Sequence, residues 1–551
     1  MTVAPLAVAT FTEKMSWGYD GPLVNTKLGF LRGQYKAVKG QEADVQAYFG
    51  IPFAKPPVGE LRLAPPLPAE GWEGTKDATK QPFICIQNKV VLDGLIELLD
   101  MQVELPDMSE DCLYLNVFAP GKAAPGTNLP VMVWIHGGGF SGGCAATYDT
   151  SGLAAYQDIV VVVIQYRLGL LGFLSSGDEA IPGNLGLLDQ VEALRWVQQN
   201  IHHFGGDPSL VTIFGESAGG ISVSLLAISP LSAGLFQHAI AQSGTAAMEI
   251  LMTDQPETTL QTVANTLGCD TSSEKIARCL KNMDIDALAA LSLDPTLSFP
   301  VTVDGLFMTE KVNKTYQDGK IPKIPFLTGV NSDEGGWLLP YIFAPTNWTE
   351  GMDREPTIAI LSIFYPEPNS LELEMMVEEY FGTTEDRNEI RQAFTNLLGD
   401  VMFNIPAIQT ANAHRDAGAP VYLYQYRYAP QYLRKKRPSF VGADHGDEIF
   451  TVLGSCFMTD PVWPPDVCTE EEMELTKLMM TYWGNFARTG NPNGPGLVAW
   501  PQYGPGEDYL SIGMVQEPLQ HLARDRFTFI TQTLPEKIAA AQKEQTARPE
   551  L

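Results

Sequence analysis

Positive charge is scarce in this chain: 36 lysines and arginines stand against 65 acidic residues, for a formal net charge of −29. So acidic a surface repels phosphate backbones and anionic headgroups, which argues against nucleic acid or an acidic membrane as a partner. Long apolar runs are missing as well. The longest, Ile159 to Ile164, falls far short of the roughly 20 residues that cross a bilayer, so no transmembrane segment is expected and the chain reads as soluble. There is no internal repeat and no low-complexity tract, and no linker rich in Gly, Ser or Pro divides the 551 residues. One domain over residues 1–551 is the expectation. None of the seven cysteines has C-x-x-C spacing, so a zinc site is not expected.

Those cysteines instead suit disulfides. Cys269 and Cys279 flank a short polar segment and Cys85 and Cys112 a longer one; Cys456 and Cys468 are available for a third bridge, which would leave Cys144 over. Asn313-Lys-Thr and Asn347-Trp-Thr are glycosylation sequons. Met1 to Ala9 is apolar and ends in small residues but lacks a basic start, so it reads as a leader remnant at most. The chain ends Arg548-Pro-Glu-Leu551, sharing only Glu-Leu with the Lys-Asp-Glu-Leu retrieval signal. Together these favour the endoplasmic reticulum lumen or secretion over the cytosol.

The stretch with most to say is Val211-Thr-Ile-Phe-Gly-Glu-Ser-Ala-Gly-Gly220. Its first four residues read as the end of a buried strand, and Ile221 to Ile228 reads as a helix. Between them lies Gly215-Glu-Ser-Ala-Gly219, a G-x-S-x-G turn, in which a serine on a sharp strand-to-helix bend projects its hydroxyl from the sheet. The elements around it alternate. Leu113 to Phe118, Leu129 to Ile135, Asp158 to Gln165, Ala239 to Gly244, Phe326 to Val330 and Val421 to Arg427 read as strands. Leu187 to Ile201 recurs at helical spacing and stops at Gly205-Gly206. The unbroken Asp158–Gln165 run suggests a central parallel strand buried on both faces. The first 65 residues carry short strands of an antiparallel edge (Leu28 to Leu31, Asp44 to Ile51). Val90 to Val103 reads as a helical flap, Asp254 to Leu293 as a polar helical excursion, residues 350–440 as a helix-rich cap, and 534–551 as an outer helix and tail. The fold class is α/β, a mostly parallel sheet with helices on both faces.

A serine needs a base, and the base an orienting acid. Of seven histidines, His202 and His203 sit at a helix end, His238 and His414 lie in helical text, and His521 sits in a polar tail. His445, in the glycine-flanked loop Gly442 to Glu448 after a late strand, is the best base. The acid should follow a strand between Ser217 and His445, where Asp333 and Glu334 are neighbours. His136-Gly-Gly-Gly139 ends a strand upstream, and its uncovered amides suit an oxyanion. Gly138 and Gly139 with the Ala218 amide would give three donors, each worth about 3 kcal/mol of transition-state stabilisation. Two features get plainer readings: Arg434-Lys-Lys-Arg437 is a solvated basic loop, and the tyrosines at 422, 424, 426 and 428 are packing.

Glu110-Asp-Cys-Leu-Tyr-Leu-Asn116, the His136 glycine run, Phe214 to Gly220, Asn331 to Glu334 and the His445 loop together resemble the type-B carboxylesterase/cholinesterase family, from about Gly29 to Gly513. Asp400 to Phe403, His414 to Pro420 and Trp483 to Pro492 look most like vertebrate carboxylesterases. The resemblance implies an α/β-hydrolase fold and a serine carboxylesterase without metal or organic cofactor, acting on small-molecule or lipid esters. By position it makes Ser217 the nucleophile, Glu334 the acid and His445 the base, with Gly138, Gly139 and Ala218 as the oxyanion hole. Ser243 would support the triad and Glu216 would be the nucleophile's acidic neighbour; Cys85–Cys112 and Cys269–Cys279 would be the disulfides. Family members with a lumenal retrieval signal end His-X-Glu-Leu, from which Arg548 departs. The Cys85–Cys112 segment lacks the tryptophan with which cholinesterases hold choline, so choline esters are not expected substrates. Neuroligin-like adhesion proteins lose the nucleophile and gain a membrane span, unlike this chain. A bile-salt-type or other lipase stays open as the alternative, and a non-catalytic cholinesterase-like adhesion or binding protein as a third reading.

Overall fold

Runs of β-branched residues build the centre of the sheet. Val160-Val-Val-Val-Ile164 is buried at every position, so both of its faces are covered and no polar alternation is needed. The computed structural model describes residues 21–270, 272–291, 297–362, 370–459, 462 and 468–547. Met1 to Ala9 and Arg548 to Leu551 lie outside the described residues.

Eleven strands share one sheet: β1 (Gln34–Lys36), β2 (Val45–Pro52), β3 (Tyr114–Ala119), β4 (Leu129–Ile135), β5 (Val160–Ile164), β6 (Gly206–Glu216), β7 (His238–Gln242), β8 (Phe326–Asn331), β9 (Val421–Tyr426), β10 (Asp508–Ile512) and β11 (Gln516–Gln520). Their spatial order is β11-β10-β9-β8-β7-β6-β4-β5-β3-β2-β1. From β5 through β4 to β10 neighbours run parallel, and the pairs at the two ends of the sheet are antiparallel. β5 was expected to be a central parallel strand; it is parallel to β4 on one side and antiparallel to β3 on the other. An apolar run reports that both faces are covered, not which way its neighbours point. His238, expected in a helix, opens β7, because pairing along β6 overrides an ambiguous short apolar run.

The helices that matter here are α1 (Lys89–Leu98), α2 (Leu185–Asn200), α3 (Ala218–Ile228), α4 (Leu338–Phe343), α5 (Asp447–Val452) and α6 (Glu470–Thr489). Successive strand residues point to opposite faces. Val131, Val133 and Ile135 meet α2 and α3 residues such as Val191, Leu194 and Ile221 in one core. Met132 and Trp134 enter a second core with Met479, Trp483 and Phe486 of α6. The start of α6 is set by a capping box, in which Thr469 and Glu472 bond each other's backbone amides. β9 is also covered on both faces: Val421 and Leu423 join the first core, while Tyr422, Tyr424 and Tyr426 pack on the second, Tyr424 edge-on to Trp483 at 5.5 Å. Among the described residues no helix is long and apolar enough to cross a membrane.

After β4 the chain steps to β5 on one side and then returns to place β6 on the other. Order therefore reverses at β4 and β6, and in open α/β sheets a crevice opens at such a reversal beyond the carboxyl ends of the strands. His136, Ser217, Ser243 and Glu334 all lie just past the ends of β4, β6, β7 and β8.

Candidate active site

Ser217 is where β6 turns into α3. Its backbone sits at φ 57° and ψ −125°, a sparsely populated region for a residue with a side chain. The bend survives because its glycines let strand and helix touch. A Cβ on Gly219 would lie 2.0 Å from the Ile135 carbonyl oxygen, and one on Gly220 would lie 2.6 Å from those of Gln242 and Gly244. The Ser217 amide donates to the Gln242 carbonyl at 3.0 Å, fixing the turn to β7. Ser217 is half-exposed, although its neighbours Glu216 and Ala218 are buried.

The glycine run after β4 folds over the same space. The Ser141 and Gly142 amides donate to the Gly138 carbonyl, and Gly138 and Gly139 take φ of 111° and 59°. Both are exposed, and among the described residues their amides have no hydrogen-bond partner. His136 pegs this loop from beneath. Its ring stacks on Tyr166 at 4.4 Å and fills the space where Gly143 would carry a side chain. Burial pushes its imidazole down to about 4, so it stays neutral. Gln87 grips Gly143 by both amide and carbonyl, at 2.9 Å each, joining the Cys85 segment to the loop.

The long-range partners arrive on the loops after β8 and β9. Glu334, 1% exposed, accepts three hydrogen bonds. Oε1 takes the Ser243 hydroxyl at 2.6 Å and the Asn331 amide at 2.6 Å, and Oε2 takes His445 Nδ1 at 2.7 Å. Asp333, the alternative acid, turns the other way and accepts the Gly442 amide at 2.8 Å. The other face of the His445 ring packs on Phe403 at 4.3 Å, within a π-helical turn (Asp400–Asn404) of the helix-rich region. His445 Nε2 lies 3.1 Å from Glu216 Oε1, off the line of a hydrogen bond. The ring nitrogens thus face Glu334 and Glu216, and the Ser217 hydroxyl does not cap α3.

Electrostatics couple Glu216 to His445. Burial alone would depress the imidazole, but the Glu216 and Glu334 carboxylates, with Glu448 beyond them, push it up to about 10. Burial pushes Glu216 up to about 8, with Glu448, Glu334 and Asp444 adding to it and the His445 cation opposing. The direction for His445 is upward, because the facing Glu216 and Glu334 carboxylates together outweigh the opposing effect of burial. Glu448 sits behind the pair, held by Asn331 Nδ2 at 2.6 Å and Gln242 Nε2 at 3.1 Å, and burial brings it to about 7.

The structure thus brings Ser217, Glu216, Ser243, Glu334, His445 and the glycine loop to one crevice. It leaves His202, His203, His238, His414 and His521 outside it; His414, for example, is buried against Phe326 in the fold's interior. The disulfides Cys85–Cys112 and Cys269–Cys279 are formed, and so is Cys456–Cys468, which the cysteine spacing had left open. Cys144 is buried and free. Asn313 and Asn347 are exposed. The basic run departs from its reading as a solvated loop: Arg434, Lys435 and Lys436 are exposed, but Arg437 is buried. Phe403, Asn331 and Glu448 were missed. All three lie in stretches already singled out, but no role could be read for them, because they reach the site through tertiary packing.

Comparison with known proteins gives a consistent result. The model of the carboxylesterase family matches residues 20–530. Liver carboxylesterase 1 of Oryctolagus cuniculus is 41% identical over the whole of both chains. Pyrethroid hydrolase Ces2a of Mus musculus is 44% identical over 96% of this chain and 94% of its own. The medium-chain fatty acyl-CoA hydrolase precursor of Anas platyrhynchos is 42% identical over 95% and 94%.

Proposed function

This chain belongs to the carboxylesterase family and is a carboxylic ester hydrolase, and from that premise we propose that its chemistry runs through Ser217, His445 and Glu334. His445 takes the proton from Ser217 Oγ as the oxygen attacks the ester carbonyl, and Glu334 holds the ring and stabilises the imidazolium. The tetrahedral oxyanion sits on the Gly138, Gly139 and Ala218 amides, each contributing about 3 kcal/mol there. His445 then protonates the departing alcohol, and water resolves the acyl-enzyme by the same route. The observation that carries this reading is the 2.7 Å bond between His445 and Glu334, two residues 111 positions apart that meet beside a strained serine. A hydroxyl–imidazole contact that is loose in the free enzyme tightens when substrate fills the site.

The test is hydrolysis of a p-nitrophenyl ester series from acetate to palmitate. Activity strongest on short and medium acyl chains is the expected result. Preference for palmitate would replace the carboxylesterase reading with a lipase, and no turnover by folded protein would end both. The names of the relatives add pyrethroid esters and fatty acyl thioesters to the panel.

Glu216 contributes to the acid limb of the pH profile in this scheme. The imidazole works as a base only when neutral, so turnover is present above its pKa and lost as pH falls through it. A Glu216 carboxylate raises that pKa. Glu216→Gln should therefore move the acid limb of kcat/KM to lower pH, with Glu334 and Glu448 still facing the ring. An unmoved limb would disprove the coupling.

We place the enzyme in an oxidising compartment, the endoplasmic reticulum lumen or the cell exterior, on the strength of its three disulfides. Thiol titration of denatured, unreduced protein from its natural source should then find Cys144 alone; seven reactive thiols would point to the cytosol.

A further inference from the structure

The Arg434–Arg437 run does more than sit in solvent. Arg437 is 7% exposed and closes a fork on Asp447, with Nη2 2.7 Å from Oδ1 and Nη1 on Oδ2. Nη1 also reaches the Gly442 carbonyl at 3.2 Å, and the guanidinium lies 5.0 Å from the centre of the Trp337 ring. Asp447 opens α5 directly after Gly446, and its Oδ2 accepts the Asp444 amide at 2.7 Å. The arginine and its carboxylate therefore bracket the segment that carries His445.

The rest of that segment is tied to the loop that carries Glu334. Asp333 accepts the Gly442 amide, and its own amide donates to the Ala443 carbonyl at 2.8 Å. Asn331 Nδ2 donates to the Asp444 carbonyl at 2.7 Å. The Asp444 carboxylate takes the amides of Trp337 and Leu338, at 3.0 Å each, at the start of α4. Acid and base thus hang from two loops stitched backbone to side chain. Among these stitches only Arg437 supplies positive charge, in a place also faced by Asp333, Asp444, Asp447 and Tyr432.

We infer that Arg437, acting through Asp447 and the Gly442 carbonyl, is a positioning residue that holds the His445 loop in register with Glu334 and Ser217. It touches no reacting atom. A planar fork that fixes two oxygens and a carbonyl restricts the loop as a single ammonium cannot. Lys436, its neighbour, points outward instead, to the Glu97 carbonyl at 2.7 Å and Asp100 at 2.8 Å, in an exposed contact with the end of α1. It serves as the control, since exposed ion pairs contribute little.

The inference rests on the proposed triad, and its experiment separates the two. Steady-state kinetics on p-nitrophenyl butyrate would compare wild type, Ser217→Ala, Lys436→Gln, Arg437→Lys and the neutralised pair Arg437→Gln/Asp447→Asn. The pair is used because Arg437→Gln alone would leave a buried charge without a partner. Displacing a base by about 1 Å lowers turnover on the order of 100-fold. Arg437→Lys and the pair should therefore lose about 10- to 100-fold in kcat, with KM and Tm close to wild type, and Lys436→Gln should change neither. A kcat near wild type in both Arg437 variants would overturn the inference. A fall in kcat that merely tracks a fall in Tm, or failure of both variants to fold, would make the pair a stability element and overturn it equally. Full activity in Ser217→Ala would instead remove the triad beneath it.

Discussion

Ser217→Ala should lower ester turnover on the order of a million-fold while leaving Tm unchanged. The reason is local. The Ser217 hydroxyl does not cap α3, so its removal takes no helix cap away. The strain at φ 57° belongs to the backbone, and alanine bears it equally. What remains after the substitution is the oxyanion pocket and binding, which together sustain only weak catalysis by water. His445→Ala should fall to a similar level, and the double variant little further, because nucleophile and base act as one unit. The measurement is kcat on a p-nitrophenyl ester beside a thermal melt. A folded Ser217→Ala protein with near wild-type kcat would refute the assignment outright.

Glu334→Gln should lower kcat about ten-thousand-fold, again with the fold retained, by the logic of an orienting acid made into an amide. The carboxylate now accepts on both oxygens, from Ser243, from the Asn331 amide and from His445 Nδ1. Glutamine keeps the shape but carries one acceptor and one donor group. If its carbonyl stays on the Ser243 hydroxyl and the Asn331 amide, which can only donate to it, its NH2 faces Nδ1. The imidazole must then accept at Nδ1 and carry its proton on Nε2, the nitrogen that has to receive the proton from Ser217. The base is present in the wrong tautomer, and the imidazolium it would form has lost the counter-charge bonded at Nδ1. Binding is untouched, so KM should stay near wild type while kcat collapses. A loss of less than about tenfold would show that Glu334 does not orient the base.

Much of the site could be read along the chain because its parts are local. The elbow at Ser217 needs glycine at 215 and 219 for the strand and helix to approach, and the distances to Ile135 show why. The amides of Gly138 and Gly139 are offered by a glycine run whose conformation residues with side chains rarely adopt. The strands announced themselves through unbroken burial, as in Val160–Ile164. The choice between Asp333 and Glu334 was different in kind. Both follow the same strand, the residues alone did not separate them, and family resemblance chose. In the structure one faces His445 and the other the Gly442 amide.

What the sequence determined by itself, then, is each feature governed by neighbouring residues: the α/β alternation, the two glycine turns and the serine bend. Tertiary structure decided whatever depends on two distant segments sharing one buried volume. It turned Arg437 inward to Asp447 while Lys436 faced out, set Glu216 against His445, laid Phe403 on the imidazole, and joined Cys456 to Cys468. Backbone preference acts over a few residues, whereas proximity and desolvation are properties of the packed whole. A charge in a string of letters has no dielectric until the fold supplies one.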